Sequence, residues 1–157
     1  MTTPDAKQFL FDRRYPISPD RLWHLLTDPK MRERWGAPTD DMVLEVETSD
    51  LRVGGLDRHR CGPKEKPEFT VETRWYRIDA PDLAVYTETI IAEGDAIGTS
   101  LVTYKLAQDG AHTALAIAVA VSSFHGAEVL GEIEAGWGGG LSNLDRLVAL
   151  EGASAEA

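Results

Sequence analysis

A chain of 157 residues with a net charge of −10, 43% apolar and 27% charged side chains has the makeup of one soluble globular domain large enough for a sizeable core. The acidic balance argues against a nucleic-acid partner, which needs a basic face, and against docking to an anionic membrane surface. Cys61 is the only cysteine, Met1 to Lys7 hold no apolar leader core, and no run approaches the ~20 apolar residues of a membrane span, so a reduced, cytoplasmic protein is expected.

Residues 8–15 read as a first strand. Ser18-Pro19-Asp20 then opens a helix: Ser18 can cap, Pro19 suits the first turn, and Asp20 favours the positive end of the dipole. Leu22, Leu25 and Leu26 give that helix a buried stripe and Asp28-Pro29 ends it. A short second helix through Met31 and Trp35 is stopped by Gly36-Ala37-Pro38. From Met42 to Phe124 short runs separated by turn residues predict consecutive antiparallel strands near 42–48, 51–61, 68–79, 83–92, 97–108 and 112–122. In the last of these Leu115, Ile117, Val119 and Val121 alternate strictly with Ala114, Ala116, Ala118 and Ala120. The alanine face either points outward, smooth enough for a homodimer contact, or points inward and enlarges a cavity.

Leu130, Ile133, Trp137, Leu141, Leu144 and Val148 form one buried stripe of a long helix over 127–150. Four glycines (Gly136, Gly138, Gly139 and Gly140) surround its tryptophan. Each glycine in a helix interior costs about 1 kcal/mol relative to alanine, so close approach of another element must compensate. That points to a helix gripped by a curved sheet with a cavity between them. Residues 8–150 are expected to form a single α+β domain, with 1–7 and 151–157 as flexible termini.

This order, together with Ser18-Pro19-Asp20-Arg21-Leu22-Trp23, Asp28-Pro29 with Arg34-Trp35, Val53-Gly54-Gly55 with Arg58 and Arg60, Ile78-Asp79-Ala80-Pro81, and Gly136-Trp137 with Leu141 and Leu144, resembles the helix-grip fold of the START/Bet v 1-like (SRPBCC) superfamily. Within it, the chain resembles the group named after the activator of Hsp90 ATPase. The resemblance implies a curved sheet of about six or seven strands around the long C-terminal helix. It also implies an internal cavity, in a superfamily of hydrophobic-ligand carriers, receptors, and polyketide cyclases or aromatases. Fold alone does not choose among them.

The resemblance sets the phase of the strand after Gly54-Gly55: Arg58 and Arg60 fall outward, and Asp57, His59 and Cys61 fall inward, where the family usually carries bulky apolar side chains. Glu88 stands where the family often carries an inward tryptophan. Further inward candidates are Thr73, Trp75, Tyr86, Val102, Tyr104, Leu115 and Ile117, faced by Ile133, Trp137 and Leu141 from the helix. A bulge at Gly54-Gly55 would flip the phase, putting Asp57 and His59 in water and Leu56 inward.

The polar cluster admits three chemistries: acid–base catalysis by His59 tuned by Asp57 or Glu88, metal binding by Asp57, His59 and Glu88, or a Cys61 thiol activated by His59. No specific metal spacing is present and no metal is expected. No cofactor is expected either, since Gly136 to Gly140 lacks the strand-before-helix context and the lysine of a phosphate loop. Trp23 and Trp35 read as packing residues, His24 as solvent-facing, His112 as a turn residue, and His125 as a candidate for the cavity mouth. Arg13, Arg14, Arg58 and Arg60 are expected on the convex face.

The reading reached is binding of a small apolar or aromatic molecule in the internal cavity. Asp57, His59, Cys61 and Glu88 would stand at its polar end, and Trp75, Tyr86, Tyr104, Ile133 and Trp137 around its body. The alternatives are a cyclase, dehydratase or lyase using His59 with a carboxylate, and a chaperone-associated interaction module that would present a surface patch instead.

Overall fold

The computed structural model describes residues 5–156, with side-chain surroundings described for 5–151. The elements in chain order are β1 (Asp5–Tyr15), α1 (Pro19–Thr27), α2 (Pro29–Trp35), β2 (Met42–Thr48), β3 (Leu56–Pro63), β4 (Phe69–Asp79), β5 (Leu83–Ala92), β6 (Asp95–Asp109), β7 (His112–Ser123) and α3 (Ala127–Glu156). The strands form one curved, antiparallel, seven-stranded sheet in the order β1-β7-β6-β5-β4-β3-β2, and α3 lies across its concave face. This is the expected α+β helix-grip arrangement.

Local chemistry explains the elements. Ser18 Oγ accepts from the Arg21 N–H at 3.1 Å, and Asp28 caps α2 through Met31 N at 3.2 Å, so one Asp-Pro pair ends α1 and starts α2. In β7 the large residues Leu115, Ile117, Val119 and Val121 are buried, so the alanines face outward. The same outer face carries Leu10, paired with Ala118, and Leu101, paired with Ala120.

Several boundaries differ from expectation. Asp5 to Lys7 are paired with Ser123 to Val121 and extend β1, while Met1 to Pro4 and Ala157 lie outside the described residues. At the other end α3 continues to Glu156. Leu51 to Gly55 belong to a tight turn rather than to a strand, with Gly55 N bonded to Arg52 O at 2.8 Å. Arg13 is not on the convex face: it points to α3 and reaches Asp145 at 3.2 Å, beside the Tyr15 hydroxyl, which donates to the same carboxylate at 2.5 Å. Arg14 does lie on the outer side, paired with Asp109 at 2.8 Å. Arg58 and Arg60 stand outside with Glu47 and Glu72 at 3.5–3.8 Å, half-exposed ion pairs of small individual value.

Two of the four glycines, Gly139 and Gly140, do answer to close approach, but the neighbour is the end of α2 and the residues just after it and not the sheet; Gly136 and Gly138 have nothing within 4 Å of a Cβ. A Cβ at Gly139 would lie 2.1 Å from the Pro38 carbonyl oxygen, and one at Gly140 3.3 Å from that of Trp35. Asn143 Nδ2 seals the junction by donating to the Ala37 carbonyl at 2.7 Å. Trp35 in turn donates its indole N–H to Leu25 O at 2.7 Å, tying α2 to α1. The glycines thus let α2 sit tightly against α3, which fixes where its side chains go.

Gly139→Ala is therefore expected to destabilise the protein by about 1–2 kcal/mol net, because the overlap with Pro38 outweighs the helix-propensity gain. Gly138→Ala, with nothing within 4 Å of its Cβ, is expected to stabilise it by up to about 1 kcal/mol. Thermal melts of the two variants should move in opposite directions.

Candidate functional site

The inward phase of β3 holds: Asp57 is 3% exposed and His59 1%, while Leu56, at 40%, faces out. Strand register then assembles a polar stripe across the concave face. Asp57 pairs with Thr73, Thr73 with Glu88, and Glu88 with Ser100, so these four inward side chains form one row over β3 to β6. The adjacent row is Trp75, Tyr86, Val102 and Val119, apolar and aromatic. His59 stands in the row on the other side, opposite Val71.

The aromatic side chains continue from sheet to helix as a file of rings. Trp75 and Tyr86 have centroids 4.9 Å apart, Tyr86 and Tyr104 5.4 Å, Tyr104 and Trp137 6.4 Å, and Phe11 stacks on Trp137 at 6.3 Å. The Tyr86 and Tyr104 hydroxyls share a 2.6 Å hydrogen bond. Ile133 and Leu141 close the file from α3, both buried.

Each member of the polar cluster has a defined condition. The Asp57 carboxylate accepts from the Trp75 indole N–H at 3.0 Å and from the Asp50 backbone N–H at 2.6 Å, so each oxygen is engaged. The Leu51–Gly55 turn makes the second bond possible: a Cβ at Gly55 would lie 2.0 Å from Asp50 O. Burial, and then the Arg32 cation, push the His59 pKa down to about 3, so its imidazole is neutral at physiological pH. Burial and the nearby Glu88 raise the Cys61 thiol, which opposes a thiolate nucleophile. Burial also raises the Glu88 carboxyl, with Arg32 offsetting part of the shift.

The residue that organises this cluster, Arg32, is one that the sequence reading did not single out. It projects from α2 into the interior, 4% exposed, with its guanidinium carbon 5.6 Å from the Trp35 ring centroid and 5.8 Å from that of Tyr86. Its Nη2 lies 3.9 Å from Glu88 Oε2, too long for a hydrogen bond. Arg32 Nε and Nη1, His59 Nδ1 and Thr73 Oγ1 are all buried and have no hydrogen-bond partner among the described residues. Arginine is almost never fully buried without partners, so four such atoms in one region set this part of the interior apart from an ordinary core.

The three chemistries fare differently on this geometry. A histidine held neutral down to about pH 3 is poorly matched to acid–base work near neutrality, and of its expected carboxylate partners Asp57 is engaged by Trp75. No set of three His, Cys, Asp or Glu side chains placed to hold a metal occurs among the described residues. His24 and His125 are exposed, and Trp23 and Trp35 are core residues. A hollow of about 370 Å³ is formed elsewhere, as an open groove lined by Glu33, Arg34, Met42, Lys64 and Asn143 among others. No helix among the described residues is long and apolar enough to cross a membrane.

The profile of one protein family, described as activator of Hsp90 ATPase homolog 1-like proteins, matches residues 16–149. The chain belongs to that family. Solved structures agree on the fold. The Rhizobium loti protein Mll3558 superposes with a TM-score of 0.79 at 26% identity, covering 91% of this chain and 97% of its own. The Chromobacterium violaceum protein CV1439 gives 0.78 at 21% identity, covering 90% and 96%. CalU16 from Micromonospora echinospora gives 0.64 at 24% identity, covering 95% and 80%. None of the curated proteins matches the chain. An activator of Hsp90 ATPase homolog 1-like fold is consistent with a ligand-binding helix-grip domain, and what this member holds must be argued from its own interior.

Proposed function

We propose that this domain binds a small, mainly aromatic or apolar molecule between the sheet and α3. The ligand's polar end meets Arg32, His59 and Thr73, with Glu88 and Cys61 beside them. Its body packs among Trp75, Tyr86, Tyr104, Ile133 and Trp137. Asp57 serves by fixing the Trp75 indole. The observation that carries this reading is the group of buried, unpartnered polar atoms on Arg32, His59 and Thr73 next to a file of aromatic rings. Small-molecule sites combine such an apolar lining with a few convergent polar groups. A protein selected only for stability would not leave a guanidinium in that condition.

A nuclear magnetic resonance screen of small aromatic and apolar compounds of each charge type tests the proposal. Binders should move the indole N–H resonances of Trp75 and Trp137 and leave that of Trp23 in place. If binders shift only residues of the outer groove, such as Asn143, or if no compound shifts either indole, the reading fails.

A second expectation concerns the cost of the site. Replacing the pair together, Arg32→Met with Glu88→Leu, is expected to stabilise the protein by about 1–4 kcal/mol, because a poorly bonded buried ion pair gives way to packed apolar groups. A lower melting temperature in the double variant would mean that the pair is a structural element.

A further inference from the structure

Resting on the ligand-binding reading above, the charges and donors around Arg32 narrow the class of ligand. A guanidinium offers five N–H donors and no acceptor. In this interior Nη2 has only the distant Glu88 carboxylate at 3.9 Å, and Nε and Nη1 are unpartnered among the described residues. Counter-charge, by contrast, is already supplied. Glu88 and Asp57 contribute two carboxylates to one polar row, Glu88 3.9 Å from Arg32 and Asp57 acting on it at longer range, and the neighbouring His59 is neutral. What Arg32 lacks is acceptors and not negative charge. A carboxylate ligand would bring a third acid into a buried region that already holds two. An ammonium head would balance the charge but would offer Arg32 further donors in place of acceptors.

We propose that the ligand's polar head is a neutral oxygen acceptor, a carbonyl conjugated to an aromatic body as in an aryl ketone, quinone or aromatic lactone, received by the free N–H groups of Arg32. Conjugation follows from position: Arg32 lies over the Tyr86 ring, and Tyr86 is flanked by Trp75 and Tyr104 at 4.9 and 5.4 Å. A flat head coplanar with its own ring can keep those faces in contact while it reaches the guanidinium. Thr73 Oγ1, in the row between Asp57 and Glu88, can donate to or accept from a second oxygen on the same molecule.

The test uses matched probes on the full chain at neutral pH: acetophenone, ethylbenzene, benzoate and benzylamine, and the naphthalene counterpart of each. Affinities are read from the Trp75 and Trp137 indole resonances. In at least one size series the ketone should bind about tenfold or more tighter than the hydrocarbon, as a hydrogen bond from a charged donor allows, and tighter than the acid or the amine. Arg32→Met, its fold checked by a cooperative melt and dispersed indole resonances, should erase the margin of ketone over hydrocarbon, and a margin that survives in the folded variant would overturn the assignment. Equal binding of ketone and hydrocarbon to the wild type, or tightest binding of the acid or the amine, would overturn the carbonyl assignment and leave the ligand-binding reading intact. Failure of all eight compounds to move either indole would overturn both.

Discussion

Asp57→Ala is expected to destabilise the protein by about 3–5 kcal/mol, which for a chain of this size lowers the melting temperature by roughly 6–20 °C. The carboxylate is 3% exposed and accepts two short hydrogen bonds, from the Trp75 indole at 3.0 Å and the Asp50 backbone at 2.6 Å. Each charge-assisted bond contributes about 1.5–3 kcal/mol, and deleting the acceptor strands a buried indole N–H on a residue that is itself fully buried. Asp57→Asn keeps the shape and one acceptor oxygen, so about half the loss is expected. A melt of Asp57→Ala within about 2 °C of the wild type would show that Asp57 does not hold this part of the site together.

Stability should also fall steeply with acid through His59. In the unfolded chain the imidazole takes a proton below its ordinary value of 6.5, whereas in the folded protein it stays neutral down to about 3. Between those values the unfolded state binds more protons, so lowering the pH favours unfolding. The contribution is fully present above pH 6.5 and declines by about 1.4 kcal/mol per pH unit as the pH falls towards 3. Summed over that window it approaches about 5 kcal/mol. Glu88 acts with the opposite sign, since a carboxyl with a raised pKa is protonated earlier in the folded state. Comparison with His59→Gln removes that background. Denaturant titrations across the window should show a shallower dependence in the variant, whatever its stability at neutral pH. Parallel curves would mean that His59 is not buried neutral.

Much of the fold is written in periodicities that one sequence displays. The two-residue alternation of β7 and the stripe from Leu130 to Val148 place the core, and the caps at Ser18 and Asp28 place the short helices. The inward phase of Asp57 and His59 came from the resemblance, which set Arg58 and Arg60 outside; the sequence pattern by itself left both phases of the strand open, because a bulge at Gly54-Gly55 would have flipped it. The site's organiser was harder to find. Arg32 lies in Pro29–Trp35, a charged stretch too short for a reliable period, and the ordinary place for arginine is water. Two signals were available: Arg32 shares a helical face with Trp35, three residues on, and the glycines of α3 require some element to approach closely. Neither says that this element is α2. The contacts of Gly139 with Pro38 and of Gly140 with Trp35 link the glycine cluster to the burial of Arg32. Phe11 and Ser100 join the interior through register with β7 and β5, which depends on pairings far apart in sequence. Arg13 follows the alternation of β1, on the inward face of Phe9, Phe11 and Tyr15; placing it with Arg14 on the convex face set that period aside, and the partner that accommodates it, Asp145, lies on a helix over a hundred residues away.

The most direct measurement is a crystal structure of the protein with the tightest binder from the screen. The compound is expected between the sheet and α3, with an acceptor atom within hydrogen-bond distance of Arg32 Nε or Nη1 and its body against Tyr104 and Trp137. A compound seated in the outer groove beside Glu33 and Asn143, with the Arg32 donors taken up by the protein's own carbonyl groups, would contradict it.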